Sequence, residues 1–175
     1  MPSIARRWGV AVSALLVLVA VGLVAFGGEG EERVADGVPR LADLERLTEL
    51  AETLGHDIYW AGERPPSQIE VTEEPDGNVY LRYLPPDAEP GDARSGFLTV
   101  GTYPIADPVL ALRDVAAKEG TSLERSGNAF LLASSTSKGS AYLAYPGSEL
   151  QIEVYDPRPR QALELVRAGA IRPVG

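Results

Sequence analysis

The stretch "LGHDIYWAG", residues 54–62, gathers residue types that often do chemistry. His56, the single histidine, stands beside the carboxylate of Asp57, and Tyr59 and Trp60 follow. A histidine general base needs a carboxylate or carbonyl to orient its ring and a substrate group within reach. Asp57 is badly placed for that, because neighbouring side chains on a strand point to opposite faces. No Gly-x-Ser-x-Gly elbow supplies a partner serine. The pair is expected to belong to an ordinary strand. Tyr59 and Trp60 are candidates for stacking on a sugar ring. Alternation sets Trp60 beside Ile58, so core packing competes for it.

Other constellations are thinner. Arg64, Arg82, Arg158 and Arg160 are candidates for an anion site, and Arg158 and Arg160 are expected in the first turn of a helix, where backbone N–H groups favour negative charge. Tyr80, Tyr83, Tyr142 and Tyr145 read as sheet residues that would line a groove if they shared an open face. Glu73, Glu74 and Asp76 are close together, as a glycoside hydrolase pair must be, but they fall at a hairpin turn and should be solvated. "SSTSKGS", residues 134–140, lacks the spacing of a phosphate loop. With no cysteine and one histidine, a zinc site would need three or more carboxylates, and no calcium-loop spacing is present. No catalytic residue, cofactor or metal is expected.

The elements that must position these residues are legible. "PRLADLERLTELAETLG" carries Leu44, Leu47, Leu50, Ala51 and Leu54 at helical spacing, with Pro39 suited to the first turn and Gly55 to the stop. "QIEVTEEPDGNVYLRYLP" reads as a hairpin turning at "PDGN". "FLTVGTYPI" reads as a strand and "ADPVLALRDVAAKEG" as a helix capped by Asp107, with a buried stripe of Val109, Leu112, Val115 and Ala116. Short strands follow in "TSLER", "NAFLLASS", "AYLAYP" and "LQIEVY". "DPRPRQALELVRAG" reads as a closing helix capped by Asp156. Twice, a Tyr-x-x-Tyr strand leads to an apolar strand and an Asp-Pro helix start, which suggests duplication of a strands-then-helix unit. The fold class is α+β: a mostly antiparallel sheet with about three helices packed on it, on one face.

Ahead of this lies "RRWGVAVSALLVLVAVGLVAF". Trp8 to Phe26 is an uncharged run of 19 residues, close to the roughly 20 that cross a bilayer. Arg6 and Arg7 precede it and every acid follows it, so the N-terminus is expected inside and the bulk outside. The chain divides into a cytoplasmic 1–7, a transmembrane helix 8–26, a flexible Gly/Glu-rich linker 27–38 and an extracytoplasmic α+β domain 39–175. The competing reading is a signal peptide cleaved near Gly27, giving a secreted protein. The whole chain carries −9, and without Arg6 and Arg7 the remainder carries −11, which disfavours nucleic acid as a partner. At 45% hydrophobic residues over its full length, the chain has the means to build a core.

The N-terminal run, the excess of Arg over Lys, the Ala/Gly/Pro-rich body, and "DIYWAG", "YLRYLP" and "LTVGTYP" resemble uncharacterised single-pass envelope proteins of high-GC Gram-positive bacteria. The resemblance implies a location in the bacterial envelope and no activity. The expected function is a membrane-anchored binding or interaction module with an envelope protein or glycan partner. A carboxylate-dependent envelope hydrolase and an accessory or sensor subunit of a membrane complex are the alternatives.

Overall fold

Ile69 and Val71, with Val79, Leu81 and Tyr83, put every second side chain of one hairpin onto a single buried face. That alternation is what holds its register, because a slip of one residue would turn all five to the other side. The computed structural model describes residues 37–134 and 139–175, and all of them belong to one compact unit. The readings for residues 1–36, including the membrane span at 8–26 and most of the linker, lie outside the described residues. So does most of "SSTSKGS". No helix among the described residues is long and apolar enough to cross a membrane.

The chain runs β1 (Arg40–Ala42), α1 (Leu44–Leu54), β2 (Tyr59–Trp60), β3 (Gln68–Glu73), β4 (Val79–Leu84), β5 (Thr99–Pro104), α2 (Pro108–Lys118), β6 (Glu124–Ser126), β7 (Ala129–Ala133), β8 (Ser140–Ala144), β9 (Leu150–Tyr155), α3 (Gln161–Arg167) and β10 (Arg172–Pro173). Eight strands form one fully antiparallel sheet in the order β1-β3-β4-β5-β9-β8-β7-β6. Two meanders, β3-β4-β5 and β7-β8-β9, meet where β5 pairs with β9, and the three-residue strands β1 and β6 form the edges. β2 and β10 make a separate two-stranded ribbon. Among the described residues the fold is thus α+β with a mostly antiparallel sheet and three helices, as the sequence leads one to expect.

The helices do not share a face. Leu47 and Leu50 of α1 and Ala162, Leu165 and Val166 of α3 join the main core with Leu81, Val100, Ile152 and Val154. Leu112 and Ala116 of α2 pack instead on Leu132 and Ala144, which point the other way. The sheet is therefore covered on one face by α1, α3 and the ribbon, and on the other by α2 over its β7–β8 end.

Two helix starts differ from expectation. α1 begins at Leu44, not near Pro39, because Asp43 is its cap: its Oδ1 accepts the Arg46 N–H at 2.9 Å, while Arg40–Ala42 pair with β3. α3 begins at Gln161, not after Asp156. The Asp156 carboxylate accepts both the backbone N–H and the guanidinium of Arg158, which closes a turn, and Arg158 precedes Pro159, a setting that disfavours helix. α2 behaves as expected: Asp107 Oδ1 accepts the Leu110 N–H at 3.1 Å, Pro108 is its first residue, and Val109, Leu112, Val115 and Ala116 face inward.

Ile152 is fully buried where β5 meets β9, whereas Leu110 on the outer side of α2 is 51% exposed. Ile152→Ala is expected to cost about 2–5 kcal/mol, and Leu110→Ala no more than about 0.5 kcal/mol. Urea unfolding of the two variants side by side checks this; equal losses would place the core elsewhere.

Candidate functional site

α2 covers one end of its face, residues 85–98 cover the β3–β4 end, where Leu84, Ala88 and Phe97 are buried together, and a cleft remains between the two. Side chains there lie in register rows across the strands. One row runs Glu70, Arg82, Thr99, Tyr155, Ser140 and the next runs Tyr80, Gly101, Glu153, Tyr142. Over β4, β5 and β9 these rows form the floor of a cleft of about 410 Å³, walled on one side by the segment Asp92–Ser95.

The wall is pinned by a buried charge. Glu70 sits on β3 with its side chain 1% exposed, and its Oε1 accepts from Arg82 Nη1 at 2.9 Å. Its Oε2 accepts the backbone N–H of Gly91 at 2.6 Å. Arg82 Nη2 donates to the carbonyls of Asp92 and Arg94 at 2.7 and 3.0 Å. Asp92 in turn takes Arg94 through both carboxylate oxygens, and Arg94 Nη1 reaches Asp87. Both guanidiniums lie over the ring of Phe97, at 4.9 and 5.3 Å from its centre. The hydrogen bonds from Arg94, side chain first and then backbone, hold the Asp92 carboxyl below the usual carboxylate range.

At the floor, Gly101 has no side chain, and Tyr103 lies across it. A Cβ at position 101 would stand 2.5 Å from the Tyr103 hydroxyl. This is a strand glycine used for close approach. It lets Tyr103 donate to Glu153 Oε2 at 2.9 Å, while Ser140 Oγ donates to Oε1 at 2.9 Å. Burial, then the charge of Glu153, pushes the Tyr103 and Tyr142 hydroxyls far above the usual tyrosine range, so both stay protonated. Tyr80 meets Tyr103 edge to face, ring centres 5.7 Å apart at 79°. Burial first and the charge of Glu74 second push Tyr80 up to about 12.

The structure divides the sequence candidates. Of the four tyrosines read as a groove, Tyr80 and Tyr142 share the cleft face. Tyr83 is buried in the main core, where its hydroxyl accepts the Ala61 N–H at 2.7 Å, and Tyr145 stacks on Tyr59 on that same side. Tyr59 and Trp60 are not open stacking platforms. Both are buried, Trp60 at 5% exposure beneath Arg172, and the Tyr59 N–H donates to Thr102 Oγ1. Trp60 Nε1 and Arg64 Nε are buried without a hydrogen-bond partner. His56 Nδ1 lies 2.9 Å from the Asp57 backbone carbonyl, so the ring's partner there is a backbone oxygen and not the neighbouring carboxylate. Arg158 and Arg160 do not flank a helix first turn as an anion pair: Arg158 is bound to Asp156, and Arg160 is exposed at the residue before α3. Glu73, Glu74 and Asp76 do stand at the hairpin turn, where Asp76 and Glu74 accept from Asn78. Among the described residues no group of three or more His, Asp or Glu is placed to hold a metal ion. No functional motif marks Tyr103, Glu153 and Gly101; alternation puts Gly101 and Tyr103 on one face of β5, and the β5–β9 register brings Glu153 beside them.

Compared with known proteins, the chain matches no family model, no curated protein and no solved structure.

Removing one partner of a buried ion pair leaves a stranded charge and costs about 3–5 kcal/mol. Glu70→Ala is expected to fall in that range and to release the cleft wall, so that trypsin cuts after Arg94 faster than in the native chain. Unchanged cleavage there would show that the wall holds itself. A second expectation concerns acid. Desolvation raises the Asp156 carboxyl, but the hydrogen bonds and charge of Arg158, with the charge of Arg64, outweigh it and set its pKa below the ordinary value. Its stabilisation is then complete at neutral pH and is lost as pH falls below the ordinary carboxylate range. Melting temperature should drop between pH 5 and 2 less steeply in Asp156→Asn than in the native chain; parallel curves would refute the linkage.

Proposed function

We propose that the chain is a membrane-anchored extracytoplasmic binding module of the bacterial envelope, held by residues 8–26 and reading its ligand with the tyrosine-lined cleft. The location rests on the uncharged run from Trp8 to Phe26, with Arg6 and Arg7 before it and the acids after it. The cleft carries the binding reading: about 410 Å³ of concave surface lined by Tyr80, Tyr103 and Tyr155 with a few fixed polar groups, the usual make-up of a ligand site. The carboxylate in its wall, Asp92, favours binding over hydrolysis. A carboxylate hydrolase needs one carboxyl held protonated opposite another, but the pKa of Asp92 is displaced downward by Arg94, the opposite direction. We also infer that the two meanders derive from one duplicated unit. β4, β5 and α2 succeed one another as β8, β9 and α3 do, although α2 and α3 take opposite faces, which confines the likeness to the strands.

Two measurements test this. Protease shaving of intact spheroplasts should digest the domain and leave a membrane fragment that begins at the N-terminus; a protected domain would invert the topology. Thr99→Trp, which sets a large ring on the cleft floor, should lower binding of the full chain to isolated envelope material at least fivefold with an unchanged far-ultraviolet spectrum. Undiminished binding would move the site away from the cleft.

A further inference from the structure

Among the described residues, Glu153 is a carboxylate that no cation meets. It projects half-buried from the centre of the sheet, and its two oxygens take hydrogen bonds from the hydroxyls of Tyr103 and Ser140. Those donors satisfy its lone pairs but bring no positive charge, and a carboxylate drawn from water is costly without one. No Lys or Arg among the described residues forms an ion pair with it. Two guanidiniums line the same cleft, yet each is already matched: Arg82 by Glu70, and Arg94 by Asp92 and Asp87. With both arginines so matched, the charge left over at the cleft is negative, and the chain beyond the apolar run is negative as a whole. Beside Glu153 the Tyr80 and Tyr103 rings meet nearly at a right angle and form an aromatic corner. A cation within about 6 Å of a tyrosine ring centre is attracted by the ring face.

We propose that the cleft takes an organic ammonium group, with Glu153 as its counter-ion and Tyr80 and Tyr103 as its aromatic walls. This names the ligand class of the binding module and rests on that reading. A protonated amine supplies the charge that Glu153 lacks, and its N–H or N–CH₃ groups meet rings and hydroxyls without displacing either arginine. An anion would instead have to compete with Glu70, Asp92 and Asp87 for guanidiniums they already hold. The ammonium could be borne by an amino sugar, a lysine side chain or a choline-type headgroup, and the test separates these.

The full chain is held in polyoxyethylene-ether micelles with ¹³C-labelled tyrosine, and the ring resonances of Tyr80, Tyr103 and Tyr155 are followed by NMR. The probes are glucosamine, Nα-acetyl-lysine amide and choline, with N-acetylglucosamine as the neutral control and inorganic phosphate as the anionic one. At least one ammonium probe should shift these resonances saturably, and its relative strength against the other two identifies the source. N-acetylglucosamine should bind at least tenfold more weakly than glucosamine. Glu153→Gln, which keeps an acceptor and removes the charge, should weaken ammonium binding about tenfold. If that variant misfolds, Tyr80→Leu keeps the charge and removes one wall, and it should weaken choline binding severalfold. Equal binding of glucosamine and its N-acetyl form, or a preference for phosphate, would overturn the ammonium inference and leave the binding module standing. Silence from every probe, while Thr99→Trp still lowers envelope binding, would do the same. Silence with no effect of Thr99→Trp would remove both.

Discussion

The pairing of β5 with β9 is the constraint on which the rest of the molecule depends. Six residue pairs, from Thr99 with Tyr155 to Pro104 with Leu150, join segments about fifty residues apart and make one sheet of two meanders. On the inner face the seam is sealed by Val100 against Val154, both fully buried, and by Thr102 against Ile152. On the outer face the same register sets Gly101 beside Glu153. The missing side chain on one strand is the space through which a tyrosine of that strand reaches the carboxylate of the other. Core and cleft floor are two sides of one set of backbone hydrogen bonds.

Much of the fold was legible because its signals are local. The "PDGN" turn, the Asp-Pro start of α2, the left-handed Gly55 that ends α1 and the strict alternation of β9 each declare themselves within a few residues. What was not legible depends on partners distant in sequence. Arg40–Ala42 looked like the first turn of α1 but is drawn into the sheet by β3. Trp60 packs into the core as its alternation with Ile58 suggests, but Tyr59, set by alternation on the opposite face, is buried too, because the ribbon partner Arg172–Pro173 and the hydroxyls of Thr102 and Tyr83 close around the pair. The side of the sheet that α2 covers depends on how the chain leaves β5, and periodicity within the helix is blind to it.

The cleft shows the same division. Alternation alone sets Tyr80 and Tyr142 on one face and Tyr83 and Tyr145 on the other, so the split among the tyrosines was in principle readable. The meeting of Tyr80, Tyr103 and Glu153 was not, since it requires the β5–β9 register and the vacancy at Gly101. Nor does sequence reveal which charges are spent. Glu70 and Asp92 look like any surface acids and Asp156 like a helix cap, yet each is consumed in holding a guanidinium or a backbone amide: Glu70 and Asp92 stiffen the cleft wall, and Asp156 closes the turn ahead of α3.

An open sheet of eight strands has two rims, and here both are trimmed. β1 and β6 are three residues long, and they carry Arg40, Glu124 and Arg125. An unpaired strand is a template on which another chain can add, and short, charged rims make a poor template. Copies crowded together on a surface would therefore meet without growing into fibrils, and their encounters would be governed by mutual repulsion of like net charge rather than by strand addition.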